Sequence, residues 1–190
     1  MKNITRLQIR LINAAIASAI LVGVSSCNNP SKSENTVGTT KSDTTGNSQD
    51  AKFLRKASMI NMEEIQLGQL ARQNGALADV KEFGKMLEED HTKSQSDLVA
   101  LAGKKSITIP STLDSTAQGD YKKLSAEMGP DFDKDFCDMM VNGHKDAIAL
   151  FEKESTQAND SDIRQWAASV LPALHKHLDD AISCQEKCKK

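Results

Sequence analysis

Aromatic side chains are scarce in this chain of 190 residues: one tryptophan, one tyrosine and five phenylalanines. Positive charge is not in surplus either, with 24 Lys and Arg against 26 Asp and Glu and a formal net charge of −2. Nucleic-acid binding draws on stacking aromatics and a basic track, so no nucleic-acid partner is expected. Sustained period-two alternation is missing too, which argues against a sheet; residues 106–110 come nearest to a strand. No Ser/His/Asp ordering, phosphate-cradling glycine loop or nucleotide motif occurs, so nothing marks the chain as an enzyme.

What is present begins with an export signal. Lys2, Arg6 and Arg10 form a basic start, followed by an uncharged, mostly apolar or small stretch over residues 11–26. That stretch is short for a bilayer span, which needs about 20 residues, and its flanks are those of a signal peptide. It ends in Val24-Ser25-Ser26-Cys27, which resembles the bacterial lipobox. Cys27 is therefore expected to carry lipid and become the first mature residue, anchoring the protein to a membrane. Asn28 in the next position favours the outer membrane over the inner, with the folded domain in the periplasm or at the surface. Cleavage would remove three positive charges and no negative one, leaving a net charge of −5. Residues 28–50 hold one sizeable apolar side chain, Val37, and read as a disordered tether. Residues 51–186 suit one domain with its own core, and 187–190 read as a frayed tail.

Four apolar stripes with spacings of three and four follow. The first runs Phe53, Ala57, Ile60, Glu64, Leu67, Ala71 and stops at Asn74-Gly75. The second runs Val80, Phe83, Leu87, His91, Leu98, Leu101, with Gly103 just past its end. The third runs Phe136, Cys137, Met140, His144, Ile148, Phe151. The fourth runs Ile163, Trp166, Val170, Leu174, His177, Ala181, Cys184, preceded by the capping residues Asp160-Ser161-Asp162 and interrupted by Pro172, where a kink is expected. Short turns make the first two helices one antiparallel hairpin and the last two another. The segment from Gly103 to Pro130, with a short amphipathic stretch over 117–128, is long enough to cross the bundle. The expected fold is all-α: a ferritin-like four-helix bundle, two hairpins joined by a long crossover carrying a short extra helix. Residues 80–91 and 132–144 also echo each other, each with an aromatic eight residues before a histidine, through duplication or through shared periodicity.

Several of these patterns resemble the domain of unknown function 4142 family, bacterial envelope proteins often labelled outer-membrane proteins. The resemblance spans about residues 51–185. It rests on Glu64-Ile65-Gln66-Leu67-Gly68-Gln69-Leu70-Ala71, on Phe83 with Asp90-His91, on Phe132-Asp133 with Gly143-His144, and on Leu171-Pro172 with His177-Leu178. It implies a ferritin-like bundle and no settled activity.

Glu64 and His91 lie equally far from the first hairpin turn, and His144 and His177 equally far from the second. One such group per helix should therefore converge in a single layer. Polar groups on a core stripe are costly unless satisfied. Three neutral imidazoles and a carboxylate are competent ligands for one divalent ion, Zn, Fe or Cu. Glu88 sits three residues before His91, the spacing seen in di-iron bundles, and could flank the site. His144 stands where a di-iron site needs Glu, and Leu174 precedes His177 by three, so a mononuclear site is the better reading. The alternative is a metal-free buried hydrogen-bond network in a structural or stress-related envelope protein. Cys137 lies seven residues before His144 and Cys184 seven after His177, which places both at one level. In an oxidising compartment a Cys137–Cys184 disulfide is expected, adding ~4 kcal/mol in the chain-entropy model, with Cys188 one turn on as the competing partner.

Overall fold

The computed structural model describes residues 48–189. They form five helices: α1 (Gln49–Asn74), α2 (Ala78–Lys104), α3 (Ser115–Ser125), α4 (Gly129–Gln157) and α5 (Ser161–Lys187). The fold is an all-α bundle, with no strand among the described residues. α1 packs on α2 and α4 on α5 as hairpins, while α2 lies beside α5 and α1 beside α4. Gln49, the first residue of α1, donates to Glu154 near the end of α4. Lys187, the last residue of α5, pairs with Asp79 in the first turn of α2. Both inter-hairpin pairs therefore run antiparallel, and α3 lies on the crossover that returns the chain to the far end. The expected signal peptide, Cys27 and the tether up to residue 47 lie outside the described residues; the last three residues of that tether belong instead to the bundle, with Ser48 capping α1 and Gln49 and Asp50 in its first turn.

Local chemistry explains most helix ends. Ser48, Asp114 and Asp160 accept from backbone amides of the first turns of α1, α3 and α5. Pro130 sits in the first turn of α4, where its fixed φ fits and no donor is needed. The expected stop at Gly103 is overrun: α2 continues to Lys104, and the left-handed residue that closes it is Ser106, φ 54°. Ile107 N then donates to Ala102 O at 2.9 Å, the long bond of a Schellman closure. α5 runs through Pro172 as one continuous helix.

α2 has no side-chain cap of its own. Asp133 of α4, 1% exposed, instead holds the turn before it: its carboxylate accepts from Ala76 N (2.9 Å) and Leu77 N (2.8 Å). At the opposite end Asp50 of α1 does the same for the α4–α5 turn, accepting from Asn159 N (2.8 Å) and Asp160 N (2.9 Å). Each hairpin turn is thus capped by the first helix of the other hairpin. This relates α1 to α4 and α2 to α5, so the sequence echo between α2 and α4 is not the symmetry of the fold.

The scarce aromatics are divided between two cores. Phe53, Phe151 and Trp166 meet in one, with ring centroids 5.1–5.8 Å apart. Phe83, Phe132 and Phe136 meet in the other. The hairpin α1–α2 closes tightest at Gly68 and Gly84, where an added Cβ would fall 2.5–2.6 Å from the opposite carbonyl oxygen. Asp50→Ala and Asp133→Ala should each cost about 2 kcal/mol, since each strips two part-buried amides of a charged acceptor. Because the caps sit at opposite ends, the double variant should lose the sum; urea unfolding of the four proteins reads this directly.

Candidate metal centre

Between the two cores lies a polar layer. His91 on α2, His144 on α4 and His177 on α5 are 1–3% exposed. Their ring centroids are 5.3–6.0 Å apart, and one nitrogen from each lies within 4.8 Å of the others. Equal distance from the hairpin turns did bring these three residues to one level.

Each ring is held by its other nitrogen. His144 Nδ1 donates to the Met140 carbonyl one turn back, at 2.9 Å. His177 Nε2 donates to Asp90 of α2 at 2.9 Å. His91 Nδ1 donates to Asn61 Oδ1 of α1 at 3.0 Å. That last bond heads a chain: Asn61 donates to Gln95, Gln95 to Ser58, and Ser58 to the Pro110 carbonyl in the crossover. The chain runs in one direction, so it fixes the Asn61 and Gln95 amides and makes His91 Nδ1 the donor. The nitrogens left over, His91 Nε2, His144 Nε2 and His177 Nδ1, are buried with no hydrogen-bond partner.

All three imidazoles are held below their ordinary titration range. For His91 the fall is large, from burial first and then from His177 and His144. Burial also lowers His144 and His177, opposed by the bonds to Met140 O and Asp90 respectively. Near neutral pH the trio is therefore uncharged and presents lone pairs, the state in which imidazole ligates metal. Three buried histidines this close could hold a metal ion.

Glu64 reaches the layer but not the trio. Its Oε1 lies 3.9 Å from His144 Nδ1, the nitrogen already committed to Met140, and its Oε2 is buried without a partner. Equal spacing from a turn fixes the level along the bundle but not the direction of the carboxylate. Glu64 instead lines a groove of about 380 Å³ between α1 and α4, with Glu63, Gly143 and Asp146. Burial pushes Glu64 up to about 8, and burial with Glu64 beside it pushes Glu63 to about 7. Glu88 does not flank the site: it faces outward, bound to Arg72 at 2.6 Å and Gln69 at 3.0 Å, bonds that hold its carboxyl low. His175 is 54% exposed and points away, as its two-residue offset from His177 requires. Asp90 and Asn61 were missed. Asp90 reads as part of an acidic solvated run, and its side chain is indeed 48% exposed. Asn61 left a signal, a polar residue on the buried stripe one turn before Glu64.

The expected Cys137–Cys184 disulfide is not formed: Cys137, Cys184 and Cys188 are all free. The level was right, but a third sulfur competes, and Cys137 Sγ stands 3.8 Å from Cys188 Sγ, a non-bonded contact.

The titrations set a pH window for the metal-free bundle. Histidines lowered by folding contribute stability that is present above the unfolded value of 6.5 and lost as pH falls below it. Glu64, raised by folding, contributes stability that is present below 4.5 and lost as pH rises through about 8. In chelator, thermal midpoints should decline on both sides. Glu64→Gln, which mimics the protonated acid, should melt several degrees above wild type at pH 9 and level with it at pH 4.

No helix among the described residues is long and apolar enough to cross a membrane. In structure the chain is similar to a DUF305 protein of Streptomyces coelicolor described as secreted, with a TM-score of 0.64 and 12% identity over 76% of this chain and 96% of that one. At that identity the likeness shows a shared helical fold. No curated protein matches the sequence. The family described as Domain of unknown function (DUF4142) matches residues 35–183, most of the sequence, and the chain belongs to that family.

Proposed function

We propose that this is a metal-binding protein of the cell envelope, holding one divalent transition-metal ion on His91, His144 and His177. The observation that carries the reading is the division of labour on the three rings. Every outer nitrogen has an acceptor, and every inner one is buried and unpartnered. Orphaned buried polar atoms are rare, and three of them on rings that bring nitrogens within 4.8 Å of one another fit an ion that draws them together better than an unserved network. Asn61, the Met140 carbonyl and Asp90 act as the orienting partners that metal-bound histidines ordinarily have. Three neutral nitrogens suit Zn²⁺, Cu²⁺ or Fe²⁺, leave the ion its full charge, and leave a coordination position for water or a further ligand. Glu64, whose carboxyl is favoured in the protonated form and stands 3.9 Å from the committed nitrogen of His144, is not a ligand on this reading.

The envelope assignment rests on the N-terminal sequence: a basic start, a short apolar stretch and Cys27 after Val24-Ser25-Ser26. On this reading, lipid on Cys27 anchors the chain in the outer membrane and residues 28–47 tether the bundle to it. Cys27→Ser should move the protein from the detergent phase to the aqueous phase in Triton X-114 partition of cell envelopes.

Titration of chelator-stripped protein with Zn²⁺ or Co²⁺ should saturate at one ion per chain. His144→Ala and His177→Ala should abolish stoichiometric binding. Asp90→Ala and Asn61→Ala, which free the rings without removing a ligand, should weaken it about 10–100-fold. A wild-type protein that stays metal-free under calorimetric titration, with its histidines still buried and neutral by NMR, would sink this reading and leave the layer as a structural polar network.

A further inference from the structure

The core on the far side of the layer holds three thiols that metal binding does not use. Cys137 lies in α4, Cys184 near the end of α5, and Cys188 is the residue that caps α5. All are free, and Cys137 is the hub: its thiol hydrogen-bonds Cys184, and its Sγ is 3.8 Å from Cys188 Sγ. Their accessibility differs. Cys137 is fully buried and Cys184 nearly so, whereas Cys188 is half-buried. A reagent in solution therefore meets Cys188 first, and the next sulfur it could pass to is Cys137.

We propose that Cys137 and Cys188 form a reversible dithiol–disulfide couple charged by a low-molecular-weight disulfide. The Cys188 thiolate attacks one sulfur of the reagent, its S–S bond breaks, and one small thiol departs with a proton. Cys137 then gives up its proton and attacks Cys188 Sγ in the mixed disulfide, expelling the second small thiol. Two protein S–H groups become one S–S bond, and one reagent disulfide becomes two thiols, so protons and electrons balance. The sulfurs must close from 3.8 Å to about 2.05 Å. The cap is where that shift is easily absorbed, since helix termini fray and the Cys188 amide is held there by one bond to the Cys184 carbonyl. Cys184, 4% exposed, is less open to the reagent than Cys188 in the first step. The oxidised couple would tie the end of α5 to α4, the two helices that present His177 and His144.

The full-length chain should be equilibrated across graded ratios of oxidised to reduced glutathione, quenched in acid, alkylated under denaturing conditions and mapped by peptide mass. The expected result is joint loss of alkylation at Cys137 and Cys188, a peptide linked through those two residues, and Cys184 alkylated throughout. Cys188→Ser should leave Cys137 reduced across the series, while Cys184→Ser should leave the couple intact; helical circular dichroism confirms that both variants fold. Alkylation of all three thiols at every ratio, glutathione retained singly on Cys188, or a wild-type link from Cys137 to Cys184 would each overturn the proposal. Peptide mapping keeps Cys27 separate from the count.

Discussion

Three uncharged imidazoles facing one another in a buried layer are the constraint around which the bundle is arranged. Their inner nitrogens are buried without a protein partner, and burial disfavours a second proton on the rings. Each ring is fixed from behind by a bond to its other nitrogen. Fixing all three recruits Asn61 from α1, Asp90 from α2 and the carbonyl of Met140 in α4, and the Asn61 chain extends the support to the crossover at Pro110. The apolar packing is correspondingly split, one aromatic cluster on each side of the layer, rather than running as a single core.

Much of this was legible in the sequence because antiparallel hairpins obey simple register. Apolar periodicity located four long helices, short turns paired them, and equal spacing from the turns put His91, His144 and His177 on one level. Register has no say about azimuth, and the errors lie there. Glu64 shares the level but directs its carboxylate to the α1–α4 groove. Glu88 shares a helix face spacing with di-iron ligands but is drawn outward by Arg72 and Gln69. Asp90 was unreadable for the opposite reason: it adjoins His91 in the chain yet serves His177 on another helix, a relation that exists only once α2 lies against α5.

The thiols teach the same lesson on a smaller scale. Cys137 and Cys184 were placed at one level correctly, but α5 brings a further sulfur within reach one turn on, and chain spacing cannot rank two neighbours of a single atom. The likeness to the DUF305 protein adds the fold and no more: at 12% identity it says that this helix arrangement recurs, not that the histidines do.

The crossed aspartate caps have a consequence for how the chain becomes a protein. During synthesis α1 and α2 emerge first, with the amides of Ala76 and Leu77 bare and the Asp50 carboxylate without its acceptor role. The first deficiency ends when the opening turns of α4 arrive, the second only with the turn after Gln157. Neither half holds everything its own turn requires. The early hairpin on its own is therefore a partner short of its contacts rather than a finished module, and the second half supplies what both ends of the bundle lack.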